Sequence, residues 1–320
     1  MTLRHFQIFV TVCDAMNMTV AANNLFISQS AVSQAISELE GHYEVRLFER
    51  LSRKLYLTQA GEKLLGYARH IIRMSKDAES EMRSLNQNGI IRIGASVTIG
   101  ASVLPKLIAA IYKENPGLSV EVTEDNTTQI EKLILSDRLD LGLVEGEITI
   151  SDIMSKPFAE DTLVLICGKN HPFSQRFSVE PHELEKENFI LREVGSGTRK
   201  TFEDVMSEKA LTWKSTWTCN NADTIKMAVA EGLGVSVISQ RSVCREIESG
   251  ILHTVNINGL FFKRRFKLVY HKNKYLTEAM RFFISFCFNL ICDMREDYGA
   301  IMEQLTQALP GGKSDDIATT

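Results

Sequence analysis

Five short polar side chains, Ser28, Gln29, Ser30, Ser33 and Gln34, recur along a helical repeat whose other side carries Ala31, Val32, Ala35, Ile36 and Leu39. Groups of this size and polarity can reach base edges and phosphates when a helix lies in a DNA major groove. A cationic cluster follows at Arg46, Arg50, Arg53 and Lys54, where a turn between two strands could press charge against the phosphate backbone. A third set of polar groups lies farther along, at Ser96-Val97-Thr98-Ile99-Gly100, Asn126-Thr127-Thr128 and Gly195-Ser196-Gly197-Thr198-Arg199. Each precedes or opens a predicted helix. Free backbone amides and hydroxyls at a helix start favour an anion, because they sit at the positive end of the helix dipole. Taken singly, each segment reads better as a plain helix cap.

Spacings that would mark an enzyme are broken. Gly195 and Gly197 are followed by Lys200 where a dinucleotide fingerprint needs a third glycine. Gly94 and Gly100 lack the Gly-Lys-Ser/Thr of an NTPase loop. His182-Glu183 has Lys186 where a zinc protease needs its second histidine, and the seven histidines form no ligand cluster. No catalytic residue, metal or resident cofactor is expected.

The elements that must position these groups are legible. Leu3, Phe6, Phe9, Val10, Cys13 and Met16 form an apolar stripe at helical spacing. Thr19–Leu25 is a short helix whose Ala21 and Ala22 admit a close crossing, Phe26-Ile27 a tight connection, and Ser28 an N-cap. Arg46–Arg50 and Lys54–Leu57 read as two short strands around the turn Leu51–Arg53, and Thr58 caps a new helix. That helix is predicted to run unbroken to about Asn88. Leu64, Ala68, Ile71, Ser75, Ala78, Met82 and Leu85 alternate spacings of four and three along it, a seam expected to pair two helices rather than to pack on its own chain.

Beyond Gly89 strand and helix alternate, which predicts an α/β domain with a mostly parallel sheet. Strands are expected at Ile90–Ile93, Leu118–Val122 and Leu139–Val144, and helices at Pro105–Asn115 and Thr127–Arg138. Further units follow at Leu163–Cys167, Phe189–Leu191, Thr198–Lys209, Ala222–Glu231, Val235–Ile238, Arg241–Ser249 and Lys267–Tyr270, with a last helix from Thr277 past Met294.

With 320 residues the chain should hold more than one domain, and 44% hydrophobic with 24% charged residues is ordinary for a soluble protein. The six cysteines (Cys13, Cys167, Cys219, Cys244, Cys287 and Cys292) show no CxxC spacing, so they read as buried apolar residues of a reducing cytosol rather than a redox pair. Phe6–Cys13 is too short and too broken by Gln7 for a secretory signal. The apolar run Phe282–Cys292 falls well short of the roughly twenty residues of a membrane span and is expected to form a buried helix. A cytoplasmic location with no membrane contact is therefore expected. Net charge is −4 overall, and residues 1–58 carry five cations against five carboxylates. The case for DNA rests on where the cations lie, since four of those five fall between Arg46 and Lys54.

The run AANNLFISQSAVSQAISELE, then LFER and LTQAGE, resembles the amino-terminal domain of the LysR-type bacterial transcriptional regulators. The resemblance is carried by Ala21-Ala22, Leu25, Ser28-Gln29, Ser33, Leu39-Glu40, and Thr58 with Ala60-Gly61. Ser30 departs from a frequent proline, and Asn17-Met18-Thr19 from a more usual Gly-Ser-Phe. The resemblance implies a winged helix-turn-helix domain (1–58), a long linker and dimerisation helix (59–88), and an α/β effector domain (89–294) built like a periplasmic binding protein. It divides the effector domain into subdomain I, 89–159 plus 262–294, and subdomain II, 160–261, with crossings near Phe158–Asp161 and Leu260–Arg265. Residues 295–320 lie beyond the usual end, and from Pro310 onward a polar, disordered tail is expected.

The family implies binding of double-stranded DNA by Ser28, Gln29, Ser30, Ser33, Gln34, Arg50, Arg53 and Lys54. It also implies a homodimer or homotetramer, contact with RNA polymerase, and a small-molecule co-inducer between the subdomains. The ligand set it implies is Ser96, Val97, Thr98, Asn126, Thr127, Gly195, Ser196, Gly197 and Thr198, with Glu145 of DLGLVEGE facing the same cleft. Arg199 is the one obvious cation there. The tract LREVGSGTR resembles the branch that regulates sulfur assimilation or carbon fixation, which implies a small anion or phosphorylated metabolite. The rival expectation, a transporter's solute-binding protein, lacks a reason for the amino-terminal head.

Overall fold

The computed structural model describes residues 1–51, 54–83 and 90–289. Arg53, Leu85, the Gln87–Gly89 break, Cys292, the far end of the last helix and the 295–320 extension lie outside the described residues, as does the side chain of Met82.

The head packs α1 (Leu3–Ala15), α2 (Met18–Leu25) and α3 (Gln29–Tyr43) around Phe6, Phe9, Val12, Ala21, Ala22, Val32, Ala35, Ile36 and Leu39. Asn17, the departure noted above, caps α2: its side-chain oxygen accepts from the amides of Thr19 and Val20 at 2.8 and 3.1 Å. Phe26 stops α2 in the left-handed region (φ 55°), and Ser28 Oγ accepts from Ala31 N at 3.1 Å to start α3. Ala31, expected on the buried side, is exposed, because the cap puts it in the first turn beside Ser30.

A hairpin of β1 (Phe48–Leu51) and β2 (Lys54–Leu57) follows, with Leu51 opposite Lys54. Glu40 ties it to α3 by accepting from the amides of Leu47 and Phe48 at 2.7 and 3.2 Å. Thr58 donates to Arg46 O and accepts from Gly61 N, which fixes the start of α4 (Gln59–Arg83) against the hairpin. A Cβ at Gly61 would stand 2.4 Å from Leu47 O, so the approach of helix to strand requires glycine.

The linker helix α4 shows two apolar stripes. Leu64, Ala68 and Ile72 turn into the head core, and Ala68 is fully buried there. Tyr67, Ile71 and Met74 stay 58%, 42% and 48% exposed, with Ala78 continuing their line. The expected seam is thus shifted: its first two members pack on their own chain, and the unpartnered stripe is Tyr67, Ile71, Met74 and Ala78.

In the first half of the α/β region β3 (Ile90–Ser96) lies between β4 (Ser119–Asp125) and β5 (Leu141–Glu145), parallel to both. Helices α5 (Val97–Ser102), α6 (Leu104–Glu114) and α7 (Thr127–Leu135) connect and cover them, joined by α11 (residues 278–289). Leu107, Ile111, Phe266 and Phe283 lie in their common core. Two long strands leave this half together. β6 (Ile153–Gly168) and β12 (Phe262–His271) pair antiparallel from Ile153↔His271 to Leu163↔Phe262.

The far part of β6 enters a second half with β7 (Ser178–Val179), β10 (Ser236–Ser239) and β11 (Leu252–Ile257). β8 (Asn188–Arg192) runs parallel to β9 (Lys214–Cys219), and α8 (Gly197–Glu208), α9 (Ala222–Ala230) and α10 (Cys244–Glu248) pack against these strands. Phe189, Phe202 and Phe262 lie in the second core. The parallel strands β3, β4, β5 and β8 are among those expected, while β6 and β12 add an antiparallel spine.

Several elements differ from expectation. α7 stops at Leu135, before a left-handed Asp137 (φ 54°) turns the chain. A 3-10 turn, Gln240–Ser242, splits off from α10. The strands β9 and β11 were not expected. Among the described residues no helix is long and apolar enough to cross a membrane, and no three His, Cys, Asp or Glu form a metal-ligand group.

Candidate functional site

On the head, Ser28, Gln29, Ser30 and Ser33 are exposed along the first turns of α3, together with the methyl of Ala31. A small methyl on such a face can meet a thymine methyl, a contact the sequence reading missed by assigning Ala31 to the core. Gln34 is exposed but engaged: Nε2 donates to Glu38 Oε1 at 2.9 Å, while Glu38 Oε2 meets His5 Nε2 at 2.7 Å. The hydrogen bonds from His5 and Gln34 hold the Glu38 carboxyl below its usual range. Arg50 and Lys54 are exposed on the two strands of the hairpin. Arg50 Nη2 donates to Met18 Sδ at 3.4 Å, which sets this cation beside the start of α2.

Gln29→Ala is expected to cost about 1–3 kcal/mol of discrimination at one base position if its amide makes a two-pronged base contact. Selection from a random operator library would check it. An unchanged preference would assign Gln29 to phosphate contact.

The second cluster lies where the two halves of the α/β region touch. Its centre is Arg264, a residue absent from the expected set and only 6% exposed. Nε donates to Asp161 Oδ2 at 2.7 Å, Nη1 to Thr198 Oγ1 at 2.9 Å and Nη2 to Thr98 Oγ1 at 3.4 Å. Nη1 also lies 3.4 Å from Glu145 Oε1. Glu145, buried as expected for the cleft, accepts from Ser96 Oγ and, at 3.2 Å, from Thr98 Oγ1. Asp161 accepts from Ser239 Oγ at 2.8 Å and has Arg241 Nε at 3.6 Å. Two guanidinium groups thus face two carboxylates, and the cluster balances to neutral.

The expected ligand residues fall around this centre in different roles. Ser96 and Thr98 spend their hydroxyls on Glu145, so Ser96 does not cap α5. Val97 opens α5 half-buried. Asn126 caps α7 by accepting from Gln129 N at 3.0 Å, and Thr127 Oγ1 donates to Glu145 O at 3.3 Å. Ser196 caps α8 by accepting from Thr198 N at 3.2 Å. The two walls touch directly, since Thr128 N donates to Gly195 O at 3.2 Å. Gly195 has φ 94°, and a Cβ at Gly197 would stand 2.4 Å from Glu145 O, so both glycines let the walls close.

Arg199, expected to be the cleft cation, is instead tied to its own surroundings. Nε donates to Glu203 at 2.7 Å and Nη1 to Arg192 O at 3.1 Å. The sequence did carry a signal for Arg264. In β12, Phe262, Arg264 and Phe266 share the buried face, so a charge occupies an inward slot between two phenylalanines.

Residues 3–62 match the family model for the bacterial regulatory helix-turn-helix protein, lysR family, and residues 86–290 match the LysR substrate binding domain. The chain is 33% identical over 286 residues to the HTH-type transcriptional regulator YeiE of Escherichia coli, covering 89% of this chain and 97% of that one. It is 31% identical over 291 residues to a "Probable RuBisCO transcriptional regulator" of Porphyra purpurea, covering 88% and 92%. Among solved structures, the CcmR regulatory domain of Synechocystis in complex with 2-PG superposes with a TM-score of 0.60 at 25% identity, covering 64% of this chain and 98% of that one.

Proposed function

The chain belongs to the LysR family of bacterial regulators, and we propose that its effector is a small anion seated between the two halves of the α/β region. The observation that carries this reading is Arg264, whose guanidinium reaches the hydroxyls of Thr98 and Thr198, one from each wall. Glu145 and Asp161 occupy the positions an anion would take on that cation. An incoming carboxylate, phosphate or sulfur oxyanion would compete with Glu145 for Arg264 and gain the two hydroxyls as charge-assisted donors. The α7 and α8 amino termini add positive potential. The names of two relatives, one a RuBisCO regulator and one bound to 2-PG, support the same class of ligand.

The domain division 1–58, 59–88 and 89–294, with subdomains exchanging at β6 and β12, is part of this proposal. So are cytoplasmic action on double-stranded DNA as a homodimer or homotetramer and contact with RNA polymerase. A ligand that changes how the walls meet would bias the spacing of two heads, because it binds one arrangement of the walls better than the other.

Thr98→Val and Thr198→Val are each expected to weaken binding of the responding anion roughly tenfold or more, the cost of one charge-assisted hydrogen bond. Calorimetry with phosphorylated, sulfur and carboxylate metabolites on wild type and both variants checks it. Ser196→Ala is expected to act differently, loosening the α8 cap at a cost of about 1 kcal/mol. Equal affinity in both threonine variants and wild type would place the ligand elsewhere.

A further inference from the structure

A crevice of about 550 Å³ lies away from that cleft, where the head, the linker helix and the α/β region meet. Arg69, Arg73 and Lys76 of α4 line one wall, and Arg92 and Arg138 of the α/β region line the other. Arg69 pairs with Asp14 of the head, and Arg73 Nε lies 2.9 Å from Asp77 Oδ1. Arg92 forks onto Asp140 at 2.7 and 3.1 Å. Burial raises the Asp140 pKa, but the Arg92 and Lys274 contacts outweigh it and hold the carboxyl well below its usual range. Lys274 Nζ stands 2.6 Å from Asp137 and 2.8 Å from Asp140.

Six cations, these five and Lys274, therefore face the four carboxylates Asp14, Asp77, Asp137 and Asp140, which leaves two positive charges over. The surplus falls on Lys76 and Arg138, both exposed and, among the described residues, without a carboxylate partner. The seat of α4 beside the crevice is polar as well: the rings of His70 and His271 meet at a tilt of 43° with centroids 4.0 Å apart, and His70 Nδ1 lies 3.4 Å from Asp137.

We propose that this crevice is a second binding site, which takes a small phosphate-class anion, free or carried by a metabolite, and that the bound anion ties the linker helix to the effector domain. The inference goes beyond the cleft reading and does not depend on it. Like charges on opposing walls repel, and an anion between them converts that repulsion into two attractions. Arginine forks match phosphate oxygens in pairs, and Arg138 offers such a fork from the α/β wall while Lys76 faces it with an ammonium from α4. The volume exceeds that of a phosphate ion and falls in the range of sites for small metabolites. Occupation would stiffen the joint between α4 and the effector domain, and so change how far a signal in the cleft reaches the heads.

The test uses the full-length protein, inorganic pyrophosphate as probe, and the exposed pair Lys76→Gln/Arg138→Gln, with Thr98→Val as the cleft control. Binding is read by calorimetry and by thermal shift against potassium chloride of equal ionic strength. The proposal expects wild type and Thr98→Val to bind alike, and the double variant to lose roughly tenfold or more in affinity. Three results would overturn it: no binding by wild type, the same shift with chloride alone, or loss in Thr98→Val with retention in the double variant. A fourth would assign the crevice to DNA phosphates instead, namely unchanged pyrophosphate affinity with operator binding weakened on all sequences and a flatter salt dependence.

Discussion

Glutamate at both Ile71 and Met74 is expected to turn dimers into monomers and to lower operator affinity by about two to four orders of magnitude. Both side chains are exposed in the single subunit, so neither substitution removes a core contact within it. In a paired seam each would bury a charge opposite its own copy, with nothing to neutralise it. The affinity loss follows from valency. Two linked heads bind two half-sites with an effective concentration gain of about 10²–10⁴ that a monomer forfeits. The head of this chain makes that gain necessary, since residues 1–58 balance five cations against five carboxylates. Sedimentation and operator titration on the double variant check both halves of the expectation. A variant that stays dimeric would show that the exposed stripe of α4 is not the seam.

The replacement of Leu64 and Ala68 by Tyr67 and Met74 in the exposed line shows what periodicity can and cannot give. Apolar residues on α4 recur every three or four positions, and that pattern was plain in the sequence. But the helix carries two adjacent stripes, and one must pack on α1. Nothing in the spacing says which. The structure decides it by burying Ala68 completely and leaving Ile71 in the open.

The head was the most legible part of the chain, because its signals are local. Ser28 and Thr58 cap the helices they were expected to cap. Ala31 shares the face of buried Ala35 but lies one turn earlier, in the first turn of α3, where it is exposed. In the α/β region the parallel strands β3, β4 and β5 were legible as apolar runs, whereas β9 was not. Five of its six residues are exposed, so it lacks the alternation that marks a half-buried strand.

The cleft was legible in location and incomplete in chemistry. Helix starts at Asn126 and Ser196 drew attention because their residue types are conspicuous. Arg264 lies 66 positions from Thr198 and 166 from Thr98 in sequence, and its partners come together only because β6 and β12 cross between the two halves. No local pattern announces a contact of that range. The alternation of β12 does announce that one arginine must point inward.

Replacing that arginine gives the second large effect. Arg264→Met is expected to destabilise the chain by about 3–5 kcal/mol at neutral pH, because it leaves two buried carboxylates, Asp161 and Glu145, without their shared cation. Glu145→Gln in the Arg264→Met background should recover part of the loss, since Arg241 still faces Asp161 and Glu145 is the charge left without its cation. Arg264→Lys should retain more stability than methionine, yet lose the anion response, because one ammonium cannot hold Thr98, Thr198 and Asp161 in the planar array seen for the guanidinium. Urea unfolding at neutral pH, with anion titration on the lysine variant, separates these outcomes. Equal stability of Arg264→Met and wild type at neutral pH would mean that the two walls are held by Gly195, Thr128 and their apolar surroundings, and that the cluster around Arg264 contributes no net tie between them.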